Sequence, residues 1–306
     1  MSKCLVLGAD GFLGSHLLYY LLKNHDVSAL DRFRHGRLDS SLQIQKFEGD
    51  YSNPFLLKKA LEGQEYVFNF ISSSNPAKSL KDPLSDINVL QSNVNLLKAC
   101  VDAGVKKIIY PSTGGAIYGR NSRKPFKEND PVTPISPYAI NKLAFENYLK
   151  YYKNTYNLNY VIYRISNPYG PFQNVTGSQG IIPIFLYNIR NDQPLTVFGD
   201  GSMTRDYIYI TDTIKMVAET FEISSQEVYN LGSGLSYTIN DIIYEISRVV
   251  KQPLIINYQP SRPTDIKNVS LDMTRFHNEF NIRAETSLHH GIFNTWNYVK
   301  TLDKHS

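Results

Sequence analysis

The chain has little cysteine, no long apolar run and no block of charge of one sign, and each shortage removes a class of protein. Two cysteines among 306 residues cannot build a disulfide framework. Cys4, in the first apolar run, and Cys100, in a helical pattern, stand in no metal-ligand spacing. Both read as small buried hydrophobes with free thiols, which suits a reducing compartment. No apolar stretch reaches the ~18 residues of a membrane span. The N-terminal Met-Ser-Lys passes directly into a strand and a glycine loop, leaving no room for a signal peptide. A cytoplasmic protein without a membrane partner is therefore expected. The net charge of +4 is spread thinly, without the Lys/Arg run of a nucleic-acid footprint. The seven histidines show no ligand spacing, and no metal is expected.

What is present is a regular alternation of short apolar strands and helical stretches. Cys4 to Leu7 reads as a buried strand, Phe12 to Lys23 as a helix, and Val27 to Leu30 as a second strand ending at Asp31, which makes a βαβ unit. Further strands are expected at Ile44 to Phe47, Tyr66 to Ile71, Lys107 to Tyr110 and Tyr160 to Ile165. The predicted class is α/β: a doubly wound parallel sheet of the Rossmann type. Ile87, Leu90, Val94, Leu97 and Val101 recur at steps of three and four, the mark of an amphipathic helix. A second long helix is expected from about Pro137 to Tyr156. After Pro171 the pattern loosens into short elements with Gly and Pro punctuation. Residues 1–170 are accordingly assigned to a dinucleotide domain and 171–306 to a smaller, mixed α/β substrate domain. The run Val228 to Leu231 reads as a strand near 228–232 that returns to the first sheet, so the boundary is expected to be interleaved.

The first turn, Gly8-x-x-Gly11-x-x-Gly14, lets the backbone approach a pyrophosphate, and the helix that follows points its unpaired N–H groups and positive dipole end at the phosphates. Phe12 and Leu13 open that helix. Asp31, at the end of the second strand, is placed to accept both ribose hydroxyls of an adenosine and would repel a 2′-phosphate. This favours NAD over NADP, although the neighbouring Arg32 softens the preference. Asp50, just past the third strand and followed by Tyr51, is either an adenine contact or a turn-forming acid. Ile71, at the end of the fourth strand, completes the cofactor set drawn from position.

Tyr138 and Lys142 stand four residues apart on one face of the second long helix. A free tyrosine titrates near ~10 and is a poor base at neutral pH, so it needs a fixed positive neighbour to stabilise its phenolate. Lys142 is the candidate, and the pair points to hydride transfer from an alcohol carbon. Spacing alone leaves the alternative of a core aromatic beside a solvated lysine.

Together these features resemble the extended short-chain dehydrogenases, the NAD-dependent nucleotide-sugar epimerases, dehydratases and reductases. The resemblance covers nearly the whole chain. Besides the glycine loop it rests on Asn88-Val89, on Pro111 to Gly119, on Ser136-Pro137-Tyr138 with Lys142, and on Arg164 to Pro171. Phe198 to Gly201, Arg205 to Ile208, Asp212, Asn230 to Gly234 and Arg262 to Asp265 continue it in order. It implies that Tyr138 is the general base for a sugar hydroxyl, that Lys142 holds the nicotinamide ribose and lowers the tyrosine pKa, and that Asn88 joins the cofactor site. The family's third hydroxyl often stands four residues before the tyrosine of the Tyr-Gly pair, which here is Gly114. Thr113, whose separation from Tyr138 is like that of the 4-epimerases, is named instead, with Ser112 as fallback and otherwise a substrate contact. The 4,6-dehydratases usually follow their Thr with an Asp-Glu pair; Gly114-Gly115 stand here, which disfavours dehydration.

The resemblance assigns a nucleotide-sugar diphosphate to Arg205 and Arg262, with Asn167 as an amide donor and Asp265 orienting Arg262 or meeting a hydroxyl. It implies a 4-epimerase acting on a UDP-hexose by transient oxidation at C4, turning of the ketone and reduction on the other face. Small residues near the base, Gly114, Gly115 and Ser72-Ser73-Ser74, suit a sugar that must rotate. The rivals are an NAD(P)H-dependent 4-ketoreductase of a 6-deoxy nucleotide sugar and a non-catalytic dinucleotide sensor. A homodimer through the two long helices is expected; apolar residues on more than one face of the second, including Ile140, Phe145, Leu149 and Tyr152, are compatible with it, the alternative being burial against the chain's own sheet.

Overall fold

A computed structural model describes residues 1–72, 76–120, 125–177, 179–261 and 266–303. Its first half runs β1 (Lys3–Leu7), α1 (Phe12–Leu21), β2 (Asp26–Asp31), β3 (Gln45–Glu48), α2 (Pro54–Leu61), β4 (Tyr66–Asn69), α3 (Pro76–Lys81), α4 (Pro83–Asp102), β5 (Lys107–Thr113), α5 (Pro137–Tyr156) and β6 (Asn159–Ile165). There follow β7 (Asn167–Tyr169), α6 (Ile181–Arg190), β8 (Leu195–Phe198), β9 (Thr204–Tyr209), α7 (Ile210–Thr220), β10 (Val228–Leu231), β11 (Ser236–Thr238), α8 (Ile239–Val250), β12 (Ile256–Gln259), α9 (Thr274–Phe280) and α10 (Leu288–Val299).

Seven parallel strands lie in the order β10-β6-β5-β4-β1-β2-β3. Successive side chains of a strand point to opposite faces, and this sorts the core in two. Cys4 and Val6 of β1 join Ile109, Val161 and Tyr163 on the face covered by α1 and α7. Leu5 and Leu7 join Ile108, Tyr110 and Ile162 on the face covered by α2, α4 and α5. Burial on both faces explains why β1 is a continuous apolar run. Cys4 and Cys100 are buried free thiols, and burial pushes the Cys4 thiol up to about 12.

The strand order reverses between β1 and β4, so the crevice of a doubly wound sheet opens at the C-terminal ends of these two strands. β6 runs through Ser166 straight into β7, which pairs with β9 and through it with β11 in a three-stranded sheet. That sheet therefore sits at the crevice end of β6. Asp206 of β9 ties it down: its buried carboxylate accepts from the Ser233 N–H, the Ser233 and Ser166 hydroxyls and the Gly234 N–H. Val228–Leu231 pairs with Ile162–Ile165 at the sheet edge. Among the described residues no helix is long and apolar enough to cross a membrane.

Two sequence expectations are corrected. The third strand lies at Gln45–Glu48, one residue later than expected, because its register follows Ser28 to Asp31 of β2. The apolar stripe of α4 is met by Leu97, which is buried, and by Leu90 and Val101, which pack against the core, but Ile87 is exposed, and the inward face also takes in Asp86, Asn93, Leu96 and Cys100. Part of its inward face is polar, which a hydropathy period does not register. On α5, Phe145 and Leu149 pack on their own sheet, Tyr152 is partly buried against it, and Ile140 is exposed.

Candidate active site

The glycine turn follows β1 and closes tightly. Gly8 has φ +79°, and a Cβ there would meet the backbone of Phe70 and Ile71 at 2.8–2.9 Å. At Gly14 a Cβ would lie 2.0 Å from the Gly8 carbonyl oxygen. These contacts require glycine and bring the end of β4 against the turn. Gly11 caps α1 without a side-chain hydrogen bond, leaving first-turn N–H groups, beside Phe12 and Leu13, for a pyrophosphate. Asp31 ends β2 and accepts from the Asp10 N–H at 2.9 Å and from the Arg32 and Phe33 N–H groups. Arg32 is paired with Asp50, and that guanidinium holds the Asp50 carboxyl down at about 2. Tyr51 is buried and its hydroxyl donates to Asn93 Oδ1 at 3.2 Å.

α5 begins at Ser136, whose hydroxyl accepts from the Ala139 N–H, with Pro137 in the first turn. This capped start fixes Tyr138 and Lys142 one turn apart. Both line a cavity of about 30 Å³ with Ile71, Asp86, Asn93 and Tyr110. Lys142 is buried, donates to the Pro111 carbonyl at 2.8 Å, and stands 5.8 Å from the centre of the Tyr138 ring. Burial, with a smaller contribution from Asp86, pushes the Tyr138 phenol up to about 12. Burial draws the Lys142 ammonium down to about 8, while Glu146 and Asp86 act in the opposite direction.

At the end of β5, Ser112 is buried and its Oγ lacks a hydrogen-bond partner, whereas the Thr113 hydroxyl accepts from the Ala116 N–H at 3.4 Å. A side chain at Gly114 has no space: its Cβ would meet Leu271 at 2.6 Å and the Arg164 carbonyl oxygen at 2.8 Å. Asn88 is exposed and does not line the cavity; Val89, Leu90 and Asn93 of the same helix do. Asn167 spends an amide hydrogen on the Asp206 carbonyl at 2.9 Å, and Arg205 donates to the Thr204 carbonyl at 2.8 Å. Arg262 and Asp265 lie outside the described residues, as do Ser73 and Ser74.

Three residues escaped sequence reasoning. Asp10 accepts from the N–H groups of His35, Gly36 and Arg37 and so shapes the loop after β2. Asn93 joins Tyr51 and Asn69 inside the cavity wall, and Asp86 faces the cavity. For Asn93 and Asp86 the available signal was a polar residue among the apolar ones of one helix, near its start for Asp86 and at its middle for Asn93.

Residues 4–232 match the model of the NAD-dependent epimerase/dehydratase family. The chain belongs to this family. It is 31% identical over 302 residues to a putative UDP-glucose 4-epimerase of Methanocaldococcus jannaschii, covering 97% of this chain and 98% of that one. To the dTDP-4-dehydro-6-deoxyglucose reductase of Escherichia coli it is 30% identical, over 94% of both chains. The UDP-glucose 4-epimerase of Thermus thermophilus, solved with NAD, superposes with a TM-score of 0.91 at 29% identity, over 98% of this chain and 99% of that one. As a member of this epimerase/dehydratase family the chain is an enzyme with NAD as cofactor, and the glycine cradle, the α1 N-terminus without a side-chain cap and Asp31 fit that dinucleotide.

Proposed function

We propose that the protein is a nucleotide-sugar 4-epimerase acting on a UDP-hexose. The observation that carries this reading is the shared cavity of Tyr138 and Lys142 at the crevice end of the sheet, beside a strand end where Gly114 leaves no space for a carboxylate. Tyr138, as phenolate, takes the proton of the 4-hydroxyl and later returns it. Lys142 holds the nicotinamide ribose and stabilises the phenolate. Thr113, with Ser112 as the alternative, donates to the same sugar oxygen. Bound NAD supplies the hydride acceptor and donor. Arg205 and Arg262 hold the diphosphate, Asn167 and Asp265 add polar contacts, and the sugar turns between the two half-reactions. Asp31, Arg32, Asp50, Tyr51 and Ile71 shape the cofactor site.

The test is to denature the purified protein, quantify any released dinucleotide, and follow UDP-glucose and UDP-galactose by proton NMR. Near-stoichiometric NAD with interconversion of the two sugars is expected. A protein that holds no dinucleotide and interconverts neither sugar overturns the reading. Likeness to the Escherichia coli reductase supports a second reading, a 4-ketoreductase using exchangeable NAD(P)H. Consumption of reduced cofactor on addition of a 4-keto-6-deoxy nucleotide sugar would establish it. Two subunits pair through the outer faces of α4 and α5, where Leu84, Ile87, Ile140 and Tyr151 are exposed; sedimentation at a monomer's mass would refute this.

A further inference from the structure

Asp86 stands apart from the other buried acids. It is 3% exposed and its Oδ2 has no hydrogen-bond partner. No ion pair among the described residues includes it. A buried carboxylate in that condition is costly to keep. The oxygen belongs to a residue that lines the cavity of Tyr138 and Lys142, whose volume of about 30 Å³ admits a water molecule.

The other groups around that cavity do not supply a free negative charge. Glu146, one turn beyond Lys142 on α5, is held by Arg164 Nε at 3.2 Å and Nη2 at 2.7 Å. β5 presents the Tyr110 phenol, and Tyr51 is turned to Asn93. Asn93, Asn141 and Ser72 are uncharged. Asp86 is thus the one unpaired carboxylate among the described residues that line the cavity.

We propose that Asp86 is a positioning residue for the Tyr138–Lys142 pair: from α4 its carboxylate supplies the negative charge that keeps Lys142 protonated in a buried cavity, and so sets the pH window in which Tyr138 exchanges a proton with the sugar. This rests on the reading of Tyr138 as the base. The same charge opposes phenolate formation, so removing it moves the ionisation of both residues to lower pH. Burial is the larger cause at both residues and draws Lys142 down, while the Asp86 charge acts upward on Tyr138 and on Lys142 alike.

The test compares Asp86→Asn, Asp86→Glu and Tyr138→Phe. Two quantities are followed against pH: turnover of UDP-glucose and UDP-galactose, and the phenolate absorbance of Tyr138 in NAD-loaded protein, taken as the difference from the matching Tyr138→Phe protein. Asp86→Asn is expected to shift both by on the order of one pH unit towards acid, with a melting temperature no lower than that of the wild type. Asp86→Glu, which keeps the charge, is expected to hold the wild-type window. An unshifted window in Asp86→Asn overturns the proposal. So does an equal shift in Asp86→Glu, or a lowered melting temperature with an unmoved titration, which marks a structural role. If Tyr138→Phe turns over normally, the reading of the base fails; if it is inactive while Asp86→Asn keeps the wild-type window, only the role of Asp86 fails.

Discussion

Asp206 and Asp86 are almost equally hidden from solvent, at 0% and 3% exposure, yet their surroundings are opposite. Asp206 receives two backbone N–H groups and two hydroxyls, so its burial is compensated and it fastens the three-stranded sheet to the ends of β6 and β10. Asp86 has an oxygen with no donor and faces a cavity. Buried polar groups are normally satisfied by their own fold, and one that is not points to a ligand or to chemistry. The difference separates a region built for rigidity from one built to receive something. Asp10 belongs with Asp206, because it collects three N–H groups from the loop after β2.

The largest expected effect lies on the receiving side. Tyr138→Phe should lower turnover by roughly 10³-fold while NAD stays bound; a loss below tenfold in steady-state assays would remove Tyr138 from the chemistry. On the rigid side, Asp206→Ala removes a buried carboxylate and leaves the partly buried Ser233 N–H and the Gly234 N–H without their acceptor, and should cost about 3 kcal/mol in urea unfolding. A cost under ~1 kcal/mol would erase the contrast with Asp86. Asp10→Ala orphans three N–H groups near the surface, where water replaces part of what is lost, so ~1–2 kcal/mol is expected, with faster limited proteolysis after β2. Unchanged cleavage would show that this loop is held by something else.

The smallest effect belongs to the exposed Arg32–Asp50 pair. The hydrogen bond from Arg32 holds the Asp50 carboxyl at about 2, below its ordinary value, so its stabilising contribution is present above pH ~4 and fades as pH falls towards about 2. Solvent screens a pair with side chains 53% and 36% exposed, which limits the effect at neutral pH to ~0.5 kcal/mol. Asp50→Asn should flatten the acid limb of stability between those pH values, and an unaltered limb would show the pair to be silent.

Several parts of this protein were legible in local pattern. The apolar runs at β1, β4, β5 and β6, the glycine turn and Asp31 at the end of β2 follow from spacing, because a buried parallel strand and a close turn both demand particular residue types. The α5 start was readable from Ser136-Pro137, and the four-residue step puts Tyr138 and Lys142 on one face wherever the helix lies. The exposed Ile87 shows where the pattern misled: the apolar stripe of α4 is not the face turned inwards at its first turn.

The sequence by itself determined the α/β alternation, the dinucleotide turn and the Tyr138–Lys142 step, since each depends on backbone geometry over a few residues. Only the tertiary structure decided that Asp86 and Asn93 face Tyr138 and Lys142, that Gly114 is closed by Leu271 and Arg164, and that Asp206 locks the small sheet to the large one. These are contacts between segments distant in the chain. They are set by how α4 and α5 rotate against the sheet, and rotation about a helix axis is fixed by packing and not by local sequence.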